Sequence, residues 1–171
     1  VGWFFGRELR KALDVPVGLI GSSVGGTAAQ LWTDKASLEA RPETRALFDD
    51  YAKSVEAFDP QKTEAAHRAA LERYRAIAEK AKAAGKTPPR GPRKAQNPKF
   101  KHPCKLYNGM IAPLQPYAIR GAIWYQGEAN SSQPVLYETL LPAMIDGWRR
   151  TWANPPALGG AVKGLDRDDF P

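Results

Sequence analysis

Sulfur and imidazole are scarce in this chain: one cysteine, Cys104, two methionines and two histidines among 171 residues. A lone cysteine excludes an internal disulfide. His67 and His102 do not form a Cys/His set with zinc spacing, so no metal is expected. Chemistry that needs an imidazole base has only those two candidates. No apolar run approaches the roughly eighteen residues that a membrane helix requires, and no basic-then-apolar signal segment opens the chain. Its first residues, Val1-Gly2-Trp3-Phe4-Phe5, are already apolar and include no initiator Met. We therefore expect a fragment, whose missing signal says little about compartment.

What is present is ordinary for a globular protein: 43% hydrophobic and 25% charged residues, enough chain for one domain with a core. The charge is unevenly placed. Residues 60–105 hold 13 Lys or Arg against 3 Glu, about +10, whereas the whole chain is +7 and the remainder therefore about −3. A basic patch can bind nucleic acid or an anionic surface. This one lacks the interleaved aromatics that stack bases and matches no nucleic-acid module. It is expected to be a solubilising helical arm or lid, with neither nucleic acid nor membrane as a partner.

Trp3, Phe4, Leu9, Ala12 and Leu13 recur at helical spacing, which predicts an amphipathic helix over 3–13, packed on a sheet. Val17-Gly18-Leu19-Ile20 then reads as a buried strand. One or two helices are expected over 34–59, with Thr33 or Asp34 as N-cap and Leu38, Leu47, Tyr51, Val55 and Phe58 as the apolar stripe. Residues 61–84 predict a long solvated helix whose inner face carries Ala66, Ala70, Tyr74 and Ile77. Gly85 ends it, and 86–103 form a Pro/Lys/Arg loop. Asn108-Gly109 signals a turn. Gly121-Ala122-Ile123-Trp124-Tyr125 reads as the central strand, apolar on both faces. A helix beginning near Pro134 presents Leu136, Leu140, Met144, Ile145 and Trp148, and Pro142 predicts a break within it. Residues 154–171 lack periodicity and are expected to be a loose tail.

Two stretches carry candidate chemistry. Gly21-Ser22-Ser23-Val24-Gly25-Gly26-Thr27 would link strand to helix, a geometry that points backbone N–H groups at an oxyanion. It also fits the G-x-S-x-G elbow, with Ser23 as nucleophile. That reading needs His67 or His102 as base, yet one lies in a charged helix and the other in a Lys/Pro-rich loop. At the second stretch, Gln126, Gly127, Glu128 and Asn130 crowd the carboxyl end of the central strand, where open α/β sheets bind ligands.

Trp124-Tyr125-Gln126-Gly127-Glu128, preceded by Leu106-Tyr107-Asn108-Gly109-Met110-Ile111-Ala112-Pro113-Leu114, resembles the sialate O-acetylesterase family of SGNH-type hydrolases. Gly18 to Thr27 and Gly147-Trp148-Arg149-Arg150 agree in order and spacing, so the likeness covers roughly residues 1–153. It implies an incomplete three-layer α/β/α, flavodoxin-like sheet with the basic arm of 60–105 inserted. It implies an O-acetylated carbohydrate such as sialic acid as substrate, cleaved by serine-esterase chemistry without a cofactor. Gly25 or Gly26 would then offer a backbone N–H, and Gln126 its side-chain amide, to the tetrahedral oxyanion. Glu128, Asn130 and Ser22 would be the substrate-binding residues. The family's Gly-Gln-Ser-Asn-type serine motif and Asp-x-x-His-type motif are both missing, and Gly21 stands where a polar residue is common. The expectation is thus a chain inactive by itself, with a non-catalytic carbohydrate-binding or interaction remnant as the alternative. The resemblance implies a secreted or periplasmic parent; the oligomeric state stays open.

Overall fold

A computed structural model describes residues 1–115 and 117–153. The expected tail at 154–171 lies outside the described residues. Five helices carry the architecture: α1 (Gly2–Leu13), α2 (Lys35–Glu39), α3 (Pro42–Glu56), α4 (Pro60–Ala83) and α5 (Pro134–Ala153). Short turns of 3-10 helix at Ala29–Leu31, Ala112–Leu114 and Glu128–Asn130, and a π-helical turn at Tyr107–Ile111, link them. The described residues divide into two compact units, one of 1–46 with those from 103 to 153, the other of 47–102.

The three-layer α/β/α sheet is not formed: no residue among those described is in a β-strand. Val17–Ile20 and Gly121–Tyr125 run irregularly through the first unit without a ladder partner. Leu19 and Ile20 are 50% and 53% exposed, Ile123 48% and Tyr125 82%. Apolar, β-branched character reports an appetite for burial, but a strand exists only where a neighbouring backbone takes its N–H and C=O groups. Side chains fasten these two segments instead. Leu19 lies against Gly6 of α1, and Trp124 packs into the core.

That core belongs to the first unit. Leu31, Trp32, Tyr107, Ile111, Met144, Trp148 and Trp152 form one buried cluster. Its rings meet edge to face, with centroids 6.0 Å apart for Trp32 and Trp124 and 5.7 Å for Trp124 and Trp148, an arrangement aromatic quadrupoles favour. Trp148 Nε1 donates to the Trp32 carbonyl at 2.9 Å. Four of these buried residues come from the 3-10 turn at Ala29–Leu31 and from α5, so α5 sets the position of the neighbouring loops. Pro142 does not break α5, which continues through it.

α2 and α5 are held together by one polar contact set. Asp34 caps α2 by accepting from Ser37 N at 3.0 Å, and Arg150 of α5 donates to both Asp34 Oδ1 and Ser37 Oγ, at 3.0 and 2.9 Å. Gly147 permits this approach. A Cβ there would fall inside the van der Waals envelopes of Asp34 Oδ2 and Ser37 Oγ.

α1 forms where its pattern places it, but it has no sheet to cover. Trp3 is 70% and Phe4 63% exposed, and only Gly6 is buried. In the second unit Asp59 caps α4, accepting from Gln61 N and Lys62 N at 2.8 and 3.0 Å. The inner face of α4 runs through Thr63, His67, Ala70, Tyr74 and Ala78; Ala66 and Ile77, expected inside, are exposed. Tyr74 OH donates to the Pro89 carbonyl at 2.8 Å, which fixes the proline loop against the helix. No helix among the described residues is long and apolar enough to cross a membrane.

Candidate functional site

The glycine turn and the Gln126 loop lie 99 residues apart in the chain and meet in the first unit. Gln126 Nε2 donates to the Thr27 carbonyl at 3.2 Å and to Asn130 Oδ1 at 2.8 Å. Asn130 is the hub of this junction. It is 2% exposed; its Oδ1 also accepts from Ala29 N at 2.9 Å, and its Nδ2 donates to Gln30 Oε1 at 3.1 Å. The 3-10 turn at Glu128–Asn130 swings Asn130 inward to reach these partners. Tyr137 of α5 donates to the Gln126 carbonyl at 3.2 Å and pins the loop from below.

Thr27 anchors the opposite wall. Its hydroxyl donates to the Val24 carbonyl at 2.7 Å and accepts from Trp32 Nε1 at 2.9 Å, coupling the turn to the tryptophan core. Gly26 has φ +71°, a left-handed conformation that a Cβ disfavours. Gly25 and Gly26 are both exposed, which leaves their backbone open to a ligand. Ser22 Oγ donates to the Met110 carbonyl at 3.4 Å, while Ser23 is exposed. Glu128 is exposed at the head of its turn, and its carbonyl accepts from Ser131 N and Oγ.

The structure thus brings Gln126 and Asn130 to the turn that carries Gly25 and Gly26. Both hydrogens of the Gln126 amide are engaged by Thr27 and Asn130, so donation to an oxyanion requires one of those bonds to open. Gln126 Oε1 and the neighbouring Trp124 Nε1 are buried with no hydrogen-bond partner among the described residues. Such groups cost about 1–3 kcal/mol each unless satisfied, so a ligand hydroxyl able to donate to Oε1 would be stabilised. Ser23 meets no imidazole within its unit, because His67 and His102 both belong to the other. There His102 stands edge-on to Tyr51, with centroids 4.7 Å apart.

Gln30 is the contributor that sequence reading passes over. It accepts from Asn130 Nδ2 through its side chain and from Cys104 N through its carbonyl, at 2.9 Å. The available signal was a polar residue inside the apolar run Ala28–Trp32. Cys104 itself is buried, and its thiol is pushed up to about 12, first by burial and then by the nearby Asp34 and Glu39 carboxylates. No group of His, Cys, Asp or Glu among the described residues is placed to hold a metal ion.

The chain is 32% identical over 155 residues to a Mus musculus sialate O-acetylesterase, and 33% identical over 155 residues to that of Rattus norvegicus. It is 31% identical over 153 residues to the Homo sapiens protein. Each match covers 89% of this chain, but 25%, 25% and 21% of the respective relatives, so the chain spans about a quarter of their length. No family profile and no solved structure matches it. Over the part of their length that it spans, the chain is similar to sialate O-acetylesterases.

Proposed function

We propose that this chain supplies the oxyanion-holding part of a carbohydrate esterase that hydrolyses O-acetyl esters of sialic acid or related glycans. The observation that carries the reading is the junction of Gln126 with Thr27, in a chain related to proteins named for that activity. In the proposed mechanism a serine attacks the acetyl carbonyl and negative charge develops on its oxygen. The backbone N–H of Gly25 or Gly26 and the Gln126 amide stabilise that charge, the latter by exchanging its bond to Thr27 for one to the oxyanion. Donors aimed where charge develops accelerate acyl transfer, and each is worth roughly 3–4 kcal/mol in established cases. Asn130 keeps the Gln126 amide oriented. Glu128 and Ser22 are assigned to bind sugar hydroxyls. The reaction requires no cofactor.

The proposal assigns the nucleophile and the histidine base to sequence other than these residues, so this chain binds the ester without turning it over. Titration with O-acetylated sialate, followed by amide shifts and by acetate release, tests this. The expected result is saturable binding without release, weakened in Gln126→Ala. Acetate release that disappears in Ser23→Ala would establish the elbow reading instead. Absence of both binding and release would overturn the assignment, and binding unaffected by Gln126→Ala would remove Gln126 from it.

A further inference from the structure

The second unit, considered by itself, holds an open groove of about 460 Å³ between the start of α4 and the proline loop. That is within the range of small-molecule sites, roughly 300–1,000 Å³. One face of α4 lines it, through Lys62, Thr63, Ala66, His67 and Ala70, and Arg93 and Ala95 line it from the loop. Tyr74 holds that loop in place by its bond to Pro89. The floor is built of alanine methyl groups and the Phe58 ring, which leaves room for a compact apolar body.

The polar groups on the wall are mostly cationic or donating. Lys62 and Arg93 bring two positive charges, in a stretch of chain that carries about +10. The single acid of the lining, Asp59, is already committed as the α4 cap, with Oδ1 accepting from two backbone N–H groups. His67 Nδ1 is buried and has no hydrogen-bond partner among the described residues. A buried imidazole nitrogen without a partner is costly, and it is stabilised by a ligand oxygen that accepts its proton. Two cations, a threonine hydroxyl and an unsatisfied imidazole around a methyl-lined floor suit a carboxylate carried on a small, partly apolar molecule.

We propose that this groove binds a carboxylated monosaccharide, its carboxylate against Lys62, Arg93 and His67 and an apolar substituent, such as an acetamido methyl, against Ala66 and Ala70. The groove stands on the second unit alone; the choice of an acidic sugar rests on the proposed function. An arm that captures free or terminal acidic sugars would give the basic residues 60–105 a role beyond solubility.

The test is calorimetric titration of the whole chain with free N-acetylneuraminate, its methyl ester, and acetate, alongside nitrogen shifts of the His67 ring. The expected result is saturable binding of the free acid that perturbs His67 and weakens about tenfold or more for the methyl ester. The double variant Lys62→Gln/Arg93→Gln should lose affinity similarly while keeping its helical circular dichroism. The His67 ring shift and the Lys62→Gln/Arg93→Gln variant report on the second unit alone, which separates failure here from failure of the esterase reading. Acetate binding as tightly as the sugar acid would overturn the sugar assignment and leave a bare anion site. Equal binding of the ester, an unperturbed His67, or no loss in the double variant would overturn the proposal altogether.

Discussion

At the scale of single residues, the site depends on Asn130 more than on the groups that would touch substrate. One side chain satisfies Ala29 N, Gln126 Nε2 and Gln30 Oε1, from two separate stretches of chain. Asn130→Ala would strip partners from buried polar groups, so we expect a loss of about 2–4 kcal/mol, measured by urea unfolding. The Gln126 amide shifts should move even without ligand. Cys104 offers a separate check. Its folded thiol titrates near 12 rather than at the ordinary 9.0. The native state therefore holds the proton more tightly than the unfolded state does. Any stability tied to the neutral thiol is intact below pH 9 and declines as pH rises from there toward 12. The stability difference between the native sequence and Cys104→Ala should accordingly shift against the native sequence over that window. At pH 8 the folded thiol should react with an alkylating reagent far more slowly than in denaturant. Rapid native alkylation would contradict the burial described.

At the scale of elements, the helices were legible and the two expected strands did not form, for a reason visible in particular residues. α4 announces itself through Gly85 past its end, a local signal that acts through backbone geometry within one turn. α2 is announced in the same way by Asp34. Val17–Ile20 and Gly121–Tyr125 have apolar character but need a distant partner to become strands, and local composition carries no information about that partner. Pro142 misled in the opposite direction: packing of Leu140, Met144 and Trp148 keeps α5 continuous across the missing N–H. Within the candidate site, Gln126 was recognisable from its motif, whereas Gln30 was not, because its role arises from a contact 100 residues away. The α2–α5 contact is the element-scale prediction. Gly147→Ala would drive a methyl group into Asp34 and Ser37. The expected cost is about 1–3 kcal/mol, read as a lower thermal midpoint with loss of the Arg150–Asp34 ion pair. An unchanged midpoint would show that α5 does not sit against α2 in this register.

At the scale of the whole molecule, the outstanding property is apolar surface left open. Trp3, Phe4 and Leu13 of α1, together with Val15, Leu19, Ile20 and Val24, are each between 42% and 70% exposed. Large apolar side chains exposed at this density along residues 3–24 favour association through apolar surface. Marginal stability and concentration-dependent association are expected. Trp3→Ser with Phe4→Ser should reduce both association, by light scattering, and binding of a hydrophobic dye. A sharp unfolding transition from a strict monomer would contradict this expectation.

The central claim is that the glycine turn and the Gln126 loop converge in space, and a nitrogen-edited nuclear Overhauser spectrum of the whole chain tests it most directly. The account predicts cross-peaks from the Gln126 side-chain amide protons to Thr27 and to the Asn130 side chain, in the absence of any ligand. If those protons instead show only intraresidue and sequential contacts, the two stretches are not held together and the oxyanion assignment is lost with them.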